Sequence, residues 1–163
     1  MAVLKIINSI GKYYDNNSRE DVINYITNPY KTPGGYIGTY GLNTYEYSKE
    51  MDEVALSFNK DTGVRLRHFV IGFEGREAVN AALVYQIGYE ISAYLGKEYH
   101  TVFSVHQDTE QLHIHIVINA VSYLDGHRYR GTKGEFYGFK SWIDSVLKRY
   151  GIYKVRYISN SAL

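Results

Sequence analysis

The feature that most constrains this chain is the segment Leu112-His-Ile-His-Ile-Val-Ile-Asn119. Residues two apart on a strand point to the same face. His113 and His115 therefore project together, while Ile114, Ile116 and Ile118 line the opposite side. A strand of this kind must lie between an apolar core and a polar surface. A third histidine, His106, precedes it across the short polar stretch Gln107-Asp-Thr-Glu-Gln111, which reads as a hairpin turn. Facing residues of paired strands have Cβ atoms roughly 5 Å apart. Three imidazoles thus converge with no long loop to organise, and neutral imidazoles suit a divalent transition metal with positions left open. A lone strand histidine is usually a packing residue, but an alternating pair facing a third is a different arrangement.

The remaining composition sets limits. The 163 residues suit one domain, 1–163. Cysteine is absent, which excludes disulfides and thiolate metal sites and fits a reducing, cytoplasmic setting. No run is long and apolar enough to span a bilayer, so no membrane insertion is expected. Eighteen tyrosines supply many faces on which bases can stack, and they complicate the choice of any one as nucleophile. Net charge is only +1, yet residues 124–163 carry eight Lys/Arg against three acids, leaving the first 123 residues at −4. Such polarity suits a phosphate backbone, or simply a solvated basic helix.

Along the chain, 2–7 reads as a strand. Ser18-Arg-Glu-Asp21 reads as a capping box opening a helix through Ile26. The glycines and prolines of 29–35 read as a loop. A helix over 47–59, a strand over 64–73 and a helix over 76–95 follow. The last carries Ala78, Ala81, Ala82, Tyr85 and Tyr89 on one stripe. Strands over 98–106 and 112–121, a Gly-rich basic stretch, a helix over 137–150 and a strand over 152–158 complete the pattern. This order predicts an α+β fold, a mainly antiparallel central sheet with helices packed on it.

The segment His106-Gln-Asp-Thr-Glu-Gln-Leu-His-Ile-His-Ile-Val-Ile-Asn119 resembles the third motif of the relaxase/mobilisation nucleases, members of the HUH endonuclease superfamily. The first histidine, the pair seven and nine residues later, the acid two after the first and the Asn four after the last all match. Leu66-Arg-His-Phe-Val-Ile-Gly-Phe73 is similar to the second motif, with Gly72 replacing a small hydroxyl residue. Val22-Ile-Asn-Tyr-Ile-Thr27 resembles the first, where a short helix carries the nucleophilic tyrosine. The likeness is to the P-type conjugative relaxases.

That resemblance implies a nuclease domain of relaxase fold, expected to be the N-terminal part of a longer protein. It implies nicking of single-stranded DNA at a transfer origin through a 5′-phosphotyrosyl intermediate. Tyr25 becomes the nucleophile, with Tyr30 next, and His106, His113 and His115 the ligands of Mg²⁺ or Mn²⁺. A phenol with pKa near 10 needs a base or a nearby cation, and Asp108 and His68 are the candidates. Asn119, on the histidine face, is a candidate to cap the site. Arg128, Arg130 and Lys133, which follow the histidine strand, are candidates for phosphate contacts, and Tyr129 for stacking on a base. Accessory relaxosome proteins and a coupling protein are the implied partners. Three rivals remain: a rolling-circle replication initiator, whose nucleophile would be Tyr137 or Tyr150, a three-His phosphodiesterase without a covalent step, and a non-catalytic DNA-binding module whose histidine cluster is structural.

Overall fold

The computed structural model describes residues 1–7, 12–74 and 80–160. Six strands form one sheet. They are β1 (Ala2–Ile7), β2 (Ile37–Tyr40), β3 (Leu66–Phe73), β4 (Thr101–His106), β5 (His113–Asn119) and β6 (Val155–Asn160), in the order β2-β4-β5-β3-β1-β6. Every neighbouring pair is antiparallel except β1 with β6. With four helices, α1 (Ser18–Ile26), α2 (Tyr47–Ser57), α3 (Ala81–Gly96) and α4 (Lys133–Arg149), this is the expected α+β class. No helix among the described residues is long and apolar enough to cross a membrane.

The period-2 pattern divides the molecule. One sheet face presents Leu4, Phe69, Ile71, Phe103, Val105, Ile114, Ile116 and Ile118 to α3 and α4, and all are fully or almost fully buried. Each such aliphatic side chain stabilises by about 1.5–3 kcal/mol relative to exposure. The other face carries the histidines, and only part of it is covered. A smaller cluster, with Val22, Ile23 and Ile26 of α1 and Met51 of α2, packs there on Leu66, Val102 and Val117.

Several details depart from the sequence expectations. β2 forms between the loop of 29–35 and the helix expected from 47, in a stretch where the sequence predicts no element. It is short, and it pairs with β4 because Gly38 lacks a side chain: a Cβ there would meet the Phe103 ring at 2.3 Å. α1 begins at Ser18, but Asn17 is its N-cap and no side chain caps it, so the Ser18–Asp21 box does not form. The capping box present is Thr132–Glu135, which opens α4 four residues before the expected start. In α3 the buried stripe is Val84, Ile87, Gly88, Ile91 and Leu95. Tyr89 stays 47% exposed, because aliphatic side chains fill the core better than phenols with a hydroxyl to hydrate. Ala78 of the expected stripe lies outside the described residues.

Candidate functional site

The register places the histidines before any side-chain detail is considered. His106 faces His113 across the hairpin, and Ser104 faces His115. The ring centroids of His106 and His115 lie 4.0 Å apart, those of His106 and His113 5.3 Å, and those of His113 and His115 5.1 Å. One nitrogen from each can be chosen so that all three lie within 4.8 Å of one another.

Each imidazole commits one nitrogen to a partner outside the cluster. His106 Nε2 donates to the carbonyl of Ile26 at 2.9 Å. That carbonyl ends α1, where helix carbonyls lack a partner of their own. His113 Nδ1 donates to the Gln111 carbonyl at 3.1 Å. His115 Nδ1 pairs with His68 Nε2 at 2.8 Å, and His68 Nδ1 meets the Tyr13 hydroxyl at 3.1 Å. The inward atoms are then His106 Nδ1, His113 Nε2 and His115 Nε2. His106 Nδ1 is buried and has no hydrogen-bond partner. An orphaned polar atom in such a place asks for a ligand, and outward bonds that fix the tautomer are the usual support of metal-binding histidines.

Electrostatics agree with that fit. Burial holds His115 well below its ordinary pKa, with neighbouring His68, His106, His113 and Lys31 adding to the effect. Burial lowers His106 as well. Both imidazoles are therefore neutral with lone pairs available, the form a metal requires.

Tyr25 approaches from the last turn of α1. Its ring lies 5.8 Å from that of His106 and 5.7 Å from that of His115, edge-on to both. The adjoining Ile26 supplies the carbonyl that holds His106, so one helix end positions both groups. Tyr25 is 46% exposed. Tyr13 is buried behind His68, and burial lifts its hydroxyl to about 12. Tyr30 is 91% exposed on the loop after α1.

The other predicted residues divide. Asp108 lies at the rim: Oδ2 pairs with Lys31 Nζ at 2.9 Å, and Oδ1 stands 3.8 Å from His113 Nε2. The hydrogen bond from Lys31 holds the Asp108 carboxyl below the usual carboxylate range, which weakens it as a proton acceptor. Lys31 also lies 5.3 Å from the centre of the Tyr25 ring, and nothing in the sequence marks it. His68 is buried beside His115, its Nε2 paired with His115 Nδ1 and its Nδ1 with the Tyr13 hydroxyl. Asn119 lies on the histidine face at the opposite end of β5. Its oxygen accepts from Arg19 Nε at 2.9 Å and its amide donates to the Met51 carbonyl, so it ties α1 and α2 to the sheet and does not cap the site.

The basic stretch is placed elsewhere too. β5 carries the chain six residues from His113 to Asn119, roughly 20 Å at strand rise, before Arg128 is reached. Arg128 donates to the carbonyls of Lys60, Thr62 and Val64, stapling the connection between α2 and β3. Tyr129 is 3% exposed in the core and offers no face to a base. Arg130 and Lys133 are exposed at the start of α4, far from the histidines.

A curated relative, "Protein rlx" of Staphylococcus aureus, is 26% identical over 114 residues, 69% of this chain and 35% of its own. The chain thus spans about a third of that relative's length. A solved structure described as "Molecular Basis of Vancomycin Resistance Transfer in Staphylococcus aureus" superposes with a TM-score of 0.48 at 16% identity, covering 77% of this chain and 74% of that one. Residues 25–152 match the family described as "Relaxase: MobA/VirD2-like, nuclease domain", and with most of its length matched the chain belongs to that family of relaxase nuclease domains.

Proposed function

We propose that this chain nicks single-stranded DNA at a plasmid or conjugative-element transfer origin, with Tyr25 as nucleophile and His106, His113 and His115 as holders of a divalent metal. The observation that carries the reading is the Tyr25 ring seated against His106 and His115 from an exposed helix end.

A metal held by His106, His113 and His115, Mg²⁺ or Mn²⁺, would supply Lewis-acid stabilisation of charge developing on the phosphate. The protein's own residues do the rest. Tyr25 Oη forms the bond to phosphorus as the bond to the 3′-oxygen breaks. The phenolic proton passes to solvent and the leaving 3′-oxygen takes one from solvent, so the products are a 5′-phosphotyrosyl link and a free 3′-hydroxyl. Ile26 and His68 hold His106 and His115 in position, which removes their reorganisation from the barrier. The covalent link conserves the phosphodiester, so the nick can be resealed by reversal. Accessory relaxosome proteins and a coupling protein are the partners this role requires.

The rolling-circle reading fits less well. Its candidate nucleophiles, Tyr137 and Tyr150, lie on or just after α4, and α4 packs on the apolar face of the sheet opposite the histidines. The test is a denaturing gel of labelled single-stranded DNA carrying the element's transfer origin, with Mn²⁺. A protein–DNA adduct, lost in Tyr25→Phe and in His113→Ala, is expected. Cutting without any adduct would instead establish a hydrolase.

A further inference from the structure

Pairing aligns residues across the sheet as well as along it. His106 faces His113, His113 faces Gly72, Gly72 faces Val3 and Val3 faces Arg156. All five lie on the histidine face in one row perpendicular to the strands. The next row runs Ser104, His115, Val70, Lys5 and Ile158. α1 and α2 pack on this face over Leu66, Val102 and Val117. A trough of about 230 Å³ lies on this face too, floored by Val3, Val70 and Gly72, with Lys5 and Arg156 along it and His113 at its head. At Gly72 an added Cβ would meet nothing within 4 Å.

We propose that this trough is a binding site for the single-stranded DNA adjoining the scissile phosphate, with Lys5 and Arg156 taking backbone phosphates and the apolar floor taking sugar or base. The proposal rests on the nicking function above and gives it a path for the strand. Three observations converge. The trough is continuous with His113. The side chain missing at Gly72 leaves the floor low where the strand would leave the metal centre. The row from His113 to Arg156 crosses three inter-strand gaps, about 14 Å, a span suited to a short run of nucleotides. Its charge is polarised by one opposing group, since Arg156 Nη2 pairs with Glu74 at 3.4 Å, and Glu74 itself lines the trough. A phosphate entering must compete with that carboxylate. The basic residues after β5 have no such continuity with the histidines.

The test is fluorescence anisotropy with labelled oligothymidylate at several salt concentrations. The variants are Lys5→Ala/Arg156→Ala, Gly72→Leu and Glu74→Gln, each checked first for Mn²⁺ binding by calorimetry to show an intact centre. The double variant should bind about tenfold or more weakly, with a salt slope shallower by about 1.4, as loss of two single-strand phosphate contacts predicts. Gly72→Leu should weaken binding by filling the floor. Glu74→Gln should tighten it, an effect of opposite sign that a merely structural role would not produce. Wild-type affinity and slope in the double variant, together with no gain in Glu74→Gln, would overturn the trough while leaving nicking intact. A wild-type protein that binds Mn²⁺ but no single-stranded DNA would overturn the nicking function itself, and the trough with it.

Discussion

The two faces of the sheet differ in kind although they share the same strands. Ile114, Ile116 and Ile118 look into a closed apolar layer under α3 and α4. His113, His115 and Asn119, their alternating neighbours, look the other way into a half-covered polar layer. The first face is stabilised by burial alone. The second buries polar groups, and each must be matched by a partner or it costs stability. His115 is matched by His68, His106 Nε2 by Ile26, and Arg19 by Asn119, Asp52 and Asp61. His106 Nδ1 is left unmatched, as are Ser104 Oγ, Ser18 Oγ and Arg19 Nη2 on the same layer. The lesson is that stability and chemistry are separated by a single residue step, so substitutions one position apart should have different consequences.

The largest effect should come from the closed face. Phe103→Ala empties a site packed by α3 and should destabilise by about 3–5 kcal/mol in chemical denaturation. Metal affinity per folded molecule should be unchanged. A loss of Mn²⁺ binding in the folded fraction would show that the faces are not separable.

Adding Mn²⁺ should raise the unfolding free energy by about 2.7 kcal/mol at a hundredfold excess over Kd. His106→Ala should abolish that gain. A gain that persists in the variant would place the metal elsewhere. Next comes Arg19→Ala. Arg19 is 1% exposed and joins Asp52 and Asp61 at 2.8 and 2.9 Å. Because both carboxylates retain solvent, the cost should be about 2 kcal/mol, below that of a fully buried pair.

The metal-free protein should also lose stability in acid. His106 and His115 are held below their ordinary value of 6.5, so folding favours the neutral form. Their contribution is fully present above about 6.5, the unfolded value, and falls as pH drops towards the folded values. Denaturation at pH 7.5 and pH 5 measures it, and equal stabilities would contradict neutral burial. The smallest effect should be that of Arg130→Ala/Lys133→Ala. These residues are remote from the histidines, so affinity for oligothymidylate should change by less than about twofold beyond general charge screening. A loss as large as that expected of Lys5 and Arg156 would move the DNA path to the start of α4.

How much of this was legible in the sequence follows from how local each signal is. The histidine cluster needs only a period-2 strand and a short turn, both encoded within His106–Asn119, so residue spacing sufficed. Tyr25 needs the tertiary packing of α1 over the sheet, and only the family resemblance singled it out. Four kinds of feature were not legible. β2 is four residues long and its pairing depends on a glycine meeting Phe103 from far along the chain. Arg19 reads as a surface residue, and its burial depends on carboxylates 33 and 42 residues away. Arg128, Arg130 and Lys133 are close to His115 in sequence, but a rigid strand carries them to the far end of the sheet. The row linking His113 to Lys5 and Arg156 joins both ends of the chain and exists only once β1 and β6 are paired. One feature was legible and passed over: Thr132-Lys-Gly-Glu135 has the spacing of a capping box, obscured by the glycines around it.

The measurement that bears most directly on the whole account is mass spectrometry of the protein–DNA adduct after nuclease trimming and tryptic digestion. Cleavage after Arg19 and Lys31 releases Glu20–Lys31, which holds both Tyr25 and Tyr30. Fragmentation of that peptide should place the nucleotide mass on Tyr25, the tyrosine seated against His106 and His115. A nucleotide found on Tyr30, or on a peptide containing Tyr137 or Tyr150, would contradict the account.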